Sequence, residues 1–161
     1  MNGSLLTVLT FCSALGSGLN AGLFFAFSAF VMTALARIPA EQGIAAMQSI
    51  NATILNPLFG IVFMGTALLS VVLAVTSWLN WGEPGSGWLL AGSLVYAAGF
   101  AVTMVFNVPL NNALEAVNPG SAEGTDLWSR YVVKWTAWNH VRTAACLAAL
   151  AMFIQALRLK G

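Results

Sequence analysis

Apolar residues run through this chain in four long stretches, interrupted mainly by small or neutral polar side chains. Residues 1–36, 42–82 and 84–114 contain no Asp, Glu, Lys or Arg, and 143–157 is a fourth clean run. A membrane-crossing helix needs about 20 mostly apolar residues. The pattern therefore predicts four spans, near 5–34, 58–79, 88–106 and 136–157, the last on a helix that begins around Leu127. Arg37-Ile38-Pro39 ends the first span. Pro39 with Glu41 marks a new helix start, since proline fits a first turn and an acid there suits the helix dipole. The segment 40–56 is semi-polar (Gln42, Gln48, Ser49, Asn51, Asn56) and helical, with Pro57 expected to kink it into the second span. Glu83-Pro84-Gly85-Ser86-Gly87 reads as a turn and 118–125 as a polar connection. The expected fold is all-α and a single domain: a four-helix transmembrane bundle, up-down-up-down, with the semi-polar helical segment before the second span. The N-terminal run lacks a positive start and continues past signal-peptide length, so it is expected to stay attached as the first span.

Composition strengthens this reading. Of 161 residues, 59% are hydrophobic and 7% are charged, against about 25% charged in ordinary soluble domains. Mean hydropathy is +0.84. A solvated globular domain, a disordered chain and a nucleic-acid binder are excluded. A net charge of +1 points to no acidic or basic partner. Four spans put both termini and the 83–87 turn on one membrane face, with 37–56 and 107–135 on the other. Arg158 and Lys160 fall on the first face; Arg37, Arg130, Lys134 and Arg142 fall on or near the second, which the positive-inside rule makes cytoplasmic. The expected location is a bacterial plasma membrane, with lipid as the surrounding partner and a homo-oligomer left open. Cys12 and Cys146, inside apolar runs and without metal spacing, read as packing residues.

Polar groups inside a membrane are costly and turn toward a bundle interior or a cavity. At about 100° per residue, Ser13, Ser17, Asn20 and Phe24 share one stripe of the first helix, beside a Gly18/Gly22 pair suited to close helix approach. Tyr96, Thr103, Asn107 and Asn111 share a stripe of the third. Trp128, Tyr131, Trp135, Trp138, Asn139, Arg142 and Cys146 lie within about 100° of arc on the fourth. Singly, each is explained by helix–helix hydrogen bonding or an interfacial aromatic belt. Together, most of them reach one end of the bundle, where a cavity is expected, lined by Asn20, Phe24, Asn107, Asn111, Tyr131, Trp135, Trp138 and Asn139.

One histidine cannot build a di-iron or copper site, so no metal is expected. No intramembrane acid serves proton-coupled export, and no CxxC or Ser–His–Asp set is legible. Aromatic walls with amides, one imidazole and one guanidinium suit a small flat hydrophobic aromatic bearing carbonyl or phenol oxygens. The pattern Asn107-Val-Pro-Leu-Asn111-Asn112, followed by Trp128, Trp135 and Trp138-Asn139-His140-Val141-Arg142, resembles the anthrone oxygenase-like proteins, small four-helix membrane proteins. That resemblance implies oxidation of an anthrone by O2 to an anthraquinone without metal or organic cofactor. His140 is the candidate base and Arg142 the candidate oxyanion holder. Residues two apart on a helix point about 200° apart: if the aromatic stripe faces the cavity, Arg142 is inside and His140 faces a neighbouring helix or lipid; if the cavity centres between Asn139 and Thr143, both flank it. Two other functions use the same residues: a non-catalytic binding or transport module for lipophilic aromatics or quinones, and a structural membrane subunit.

Overall fold

A computed structural model of the chain describes residues 3–160. Among them the structure is helical with no strand, in five helices: α1 Gly3–Leu35, α2 Ala40–Ile54, α3 Pro57–Leu79, α4 Ser86–Glu115 and α5 Ala122–Lys160. The Lys160 side chain, counted above for orientation, lies outside the described residues. Four helices are long and apolar enough to cross a membrane: α1, α3, α4 and the Ala122–Leu159 stretch of α5. At about 1.5 Å per residue, even the shortest of them, α3, reaches across a hydrocarbon layer of about 30 Å. Leu15, Leu19, Leu68, Val75 and Leu94 are exposed on the outside, a surface compatible with an integral membrane protein.

Local chemistry sets the breaks. Pro57 does not kink one helix into the next. Leu55 and Asn56 leave helical geometry, and α3 starts afresh at Pro57, whose missing N–H costs nothing in a first turn. Asn56 Oδ1 caps it by accepting from Phe59 N–H at 3.0 Å. The 83–87 turn forms as expected, with Gly85 at φ 79°, where a Cβ would approach the Ala156 carbonyl oxygen to 2.9 Å. Glycine is required there on both counts.

Two helices carry a wide turn. In α1, Met32 N–H bonds Phe27 O, five residues back. In α4, Val108 N–H bonds Thr103 O in the same way. The second explains why α4 runs on to Glu115 although the sequence places the end of that span near Phe106. A proline ring clashes with the carbonyl four residues earlier, and a wider turn just before Pro109 gives the backbone room to continue.

Burial falls into two clusters. One contains Ala14, Phe24, Phe63, Leu73, Tyr96 and Phe153 and joins α1, α3, α4 and α5. The other contains Met32, Ile44, Met47, Leu114, Trp128, Tyr131 and Trp135, and is closed by α2. Gln48 Nε2 of α2 donates to the carbonyls of Leu114 and Val117, at 2.9 and 3.1 Å, supplying donors that the end of α4 lacks. Among the glycines of the spans the tightest is Gly16, where a Cβ would collide with Thr66 Oγ1 of α3. The expected Gly18/Gly22 pair has no such role. Gly18 makes only ordinary contact with Leu150, and nothing lies near Gly22.

Substitution at these glycines separates the two positions. Gly16→Ala should cost about 1–3 kcal/mol by overpacking, read from unfolding in detergent, and adding Thr66→Ala should recover most of it. Gly22→Ala should be nearly neutral. Equal effects at both glycines would refute this assignment of the helix contact.

Candidate functional site

Arg142 sits inside the apolar length of α5 with 6% of its surface exposed. Burying a charge is expensive unless it is partnered. Here the partners are an amide and two rings. Arg142 Nε donates to Asn139 Oδ1 at 2.9 Å. The guanidinium carbon lies 4.2 Å from the Phe24 ring centroid and 4.8 Å from that of Trp135, within cation–π range. Among the described residues no carboxylate pairs with it, and its two terminal nitrogens have no hydrogen-bond partner.

Asn139 fixes this arrangement. Its Nδ2 donates to Phe24 O and to Ser28 Oγ, both at 2.7 Å. Ser28 lies in the wide turn of α1, so that turn, Phe24 and Arg142 are held through one amide. Asn111 Oδ1 accepts from Tyr131 OH at 2.9 Å and from Trp135 Nε1 at 2.7 Å. Tyr131 and Trp135 stack along α5 with centroids 6.1 Å apart. Asn111 thus holds the indole on which the guanidinium rests.

Arg142, Phe24, Trp135 and Asn111 line a cavity of about 230 Å³. The remaining wall comes largely from Phe27 of α1, Met47, Ile50 and Asn51 of α2, Phe59 and Phe63 of α3, and Thr103 of α4. Phe63 stacks on Phe59 at 5.3 Å and on Phe100 at 5.0 Å, and meets Phe24 edge-on at 6.3 Å. Exposed Met64 and Met104 form part of the rim, and Met64 also lines an apolar outer groove with Val71, Ala97 and Phe100. Pockets for drug-sized ligands run from about 300 Å³ upward. This one suits a compact ligand of a few fused rings.

The other sequence-derived site residues lie elsewhere. Asn20 is a helix tie, its Nδ2 donating to Gly16 O and Tyr96 OH. Asn107 donates to Trp135 O at 3.2 Å. Trp138 stacks on Phe106 at 3.7 Å. Tyr131 and Asn139 hold cavity residues without lining the cavity themselves. His140 is exposed in a shallow outer groove with Met32, Ala36, Val133 and Thr136. The roughly 200° between positions 140 and 142 is therefore resolved with Arg142 inside and His140 outside. The expected pocket is displaced toward α2 and α3, because the amides of 20, 107 and 139 are spent on neighbouring helices. The α2 contribution was readable only as a face: Met47, Ile50, Asn51 and Ile54 recur at helical spacing on a segment valued above for its polar residues.

Two substitutions test this division. Asn111→Leu leaves two buried donors unpaired, at about 1–3 kcal/mol each, and should visibly lower the unfolding temperature in detergent. His140→Ala touches no buried contact and should stay within about 0.5 kcal/mol of the parent. The reverse order of effects would overturn it.

A family model described as anthrone oxygenase matches residues 57–152. The matched stretch begins at the first residue of α3 and includes Asn111, Trp135, Asn139 and Arg142. Neither the curated proteins nor the solved structures give a match. The match takes in more than half of the 161 residues, and with four span-length helices around the Arg142 cavity the chain belongs to the anthrone oxygenase family.

Proposed function

We propose that the protein is a membrane-embedded, cofactor-independent oxygenase acting on an anthrone-like or similarly flat hydrophobic aromatic with O2. The observation that carries this reading is the buried Arg142 guanidinium, clasped by Phe24 and Trp135 and facing an aromatic cavity without an acid to neutralise it. An anthrone has a CH2 flanked by two rings, conjugated through them to a carbonyl. Loss of one C–H proton gives an anion whose charge delocalises onto the carbonyl oxygen. That anion transfers an electron to O2, and the radical pair collapses to a peroxide at the same carbon. Protonation of the peroxide, loss of the second C–H proton and O–O cleavage leave a quinone carbonyl and one water. A fixed cation is worth most where charge develops on oxygen in a dry site. Ring walls hold the substrate plane, and Asn111 supplies a further donor.

The bundle is read as up-down-up-down. Support comes from the crevice that Gly3, Thr7, Ser77, Asn80, Glu83 and Leu159 share, which gathers the start of α1, the end of α3, the turn and the end of α5. Cysteines placed at residues 40 and 85 should accept an impermeant label from opposite membrane sides; labelling from one side would refute this topology.

A second reading, retention of a lipophilic aromatic without turnover, draws support from His140, which lies outside the cavity and leaves it without an imidazole. Arg142→Gln separates the two. Under the oxygenase reading, O2-dependent turnover of an anthrone falls more than about tenfold, about 1.4 kcal/mol of barrier, in a variant that unfolds at the parent temperature. Parent-like turnover in a folded Gln variant removes Arg142 from the reaction. No turnover by the parent protein, with ligand retained, leaves the binder.

A further inference from the structure

The unspent hydrogen-bonding capacity around the cavity is one-sided. Asn111 Oδ1 is committed to Tyr131 and Trp135, so its amide NH2 is what remains for a ligand. Asn51 Nδ2 is buried beside the same space, with the Tyr131 hydroxyl as a polar neighbour that it approaches without a well-formed hydrogen bond. Thr103 Oγ1 gives its proton to Gly99 O. Arg142 brings two terminal nitrogens without partners and a full positive charge without a counter-charge. Apart from the Thr103 lone pairs and the Asn51 amide oxygen, each free group is a donor, and the one charge among them is positive. A ligand completing this set carries acceptor oxygen and, to balance the cation, negative charge.

The cavity also lacks anything suited to taking a proton. Among the described residues, Arg142 is the sole ionisable side chain in its lining. From α5, Tyr131 and Cys146 are the titratable neighbours of the guanidinium. Tyr131 already donates to Asn111, Cys146 is buried in the other cluster, and His140 opens to the outside. On α2, Glu41 lies at the exposed start of the helix, and α3 carries no ionisable side chain. On α4, Tyr96 OH donates to Phe63 O, and Glu115 is exposed at the far end.

Resting on the cavity reading above, we infer that the site takes its flat aromatic ligand as the oxyanion, a phenolate or enolate, and that the proton is given up to water rather than to a side chain. Binding then lowers the ligand's own pKa. The sign follows by linkage: affinity is lowest where the ligand is neutral both free and bound. It rises as pH climbs from the bound toward the free pKa of the ligand, and levels off above the free value. The midpoint belongs to the ligand and moves when the ligand is changed.

The test uses 7-hydroxycoumarin, whose neutral and ionised forms absorb differently, and its methyl ether 7-methoxycoumarin, which cannot ionise. Both are titrated against the full chain in nanodiscs of zwitterionic lipid, with empty nanodiscs as the baseline. The expected result is an anion absorption band from bound 7-hydroxycoumarin at a pH where the free probe is neutral. Above its free pKa, it should bind at least tenfold tighter than the ether. Arg142→Gln should erase that preference while keeping the ether's affinity, and Asn51→Leu should reduce it in part. Bound probe in the phenol form, or equal affinity for phenolate and ether in the parent protein, overturns the inference without any variant. Anion capture with no turnover of an anthrone would sink the oxygenase reading and leave this inference standing. Turnover with no anion preference overturns this inference alone.

Discussion

A guanidinium in a membrane-length helix has to be held by something, and here one amide holds it. Asn139 accepts from Arg142 on one side and donates to the α1 backbone and Ser28 on the other. The seat of Phe24 against the guanidinium and the orientation of the cation both pass through this side chain. Without the amide, Arg142 would have ring faces beneath it and nothing fixing its direction. With it, the charge is aimed before any ligand arrives. Pre-set dipoles and charges avoid a reorganisation cost at the moment of reaction.

The same stretch of α5 is gripped from the other side by α4. Asn107 donates to the Trp135 carbonyl, and Asn111 takes both Trp135 Nε1 and Tyr131 OH. Asn107 closes the wide turn ahead of Pro109, as Ser28 sits within the wide turn of α1. Two irregular turns therefore meet α5 within residues 135–143. Wide turns of this kind recur at functional sites because they re-aim side chains that a regular helix would point elsewhere. α2 then roofs the space left between α1, α3 and α4, and its Gln48 anchors that roof to the end of α4.

Much of this was legible from residue pattern alone. Four charge-free apolar runs gave the four long helices, and the glycine at 85 gave the turn that the bundle needs. Arg142 stood out because a charge in an apolar run must find partners, and the aromatic stripe at 128, 131 and 135 pointed the right way. The amides were harder. Polarity at Asn20, Asn107 and Asn139 says that a partner is needed but not whether it is a ligand or the next helix. All three found helices. Helical-wheel reasoning also assumes a constant 100° step, which fails across 27–31 and 103–107. Met32 could not be placed relative to the Ser13–Asn20 stripe by counting, because the register changes between them. Asn51 is missing from the expected lining because the 40–56 helix was weighed by its polar residues, whereas its face at Met47, Ile50 and Ile54 forms a wall.

The wide turns are also single-residue insertions in helical terms, since each closes a ring one residue longer than its neighbours. Removing one residue from 27–31 would restore a regular helix without shortening any loop, yet it would swing one half of α1 by about 100° against the other. Gly16 would then leave Thr66, or Met32 would leave its cluster with Ile44 and Trp128; both could not stay. Point substitutions around the cavity change one wall at a time and are tolerable one by one. A length change inside α1 or α4 trades one complete set of helix contacts for another. The spacing between Gly16 and Met32 is therefore locked by the geometry on both sides of the turn, whichever rings line the cavity between them.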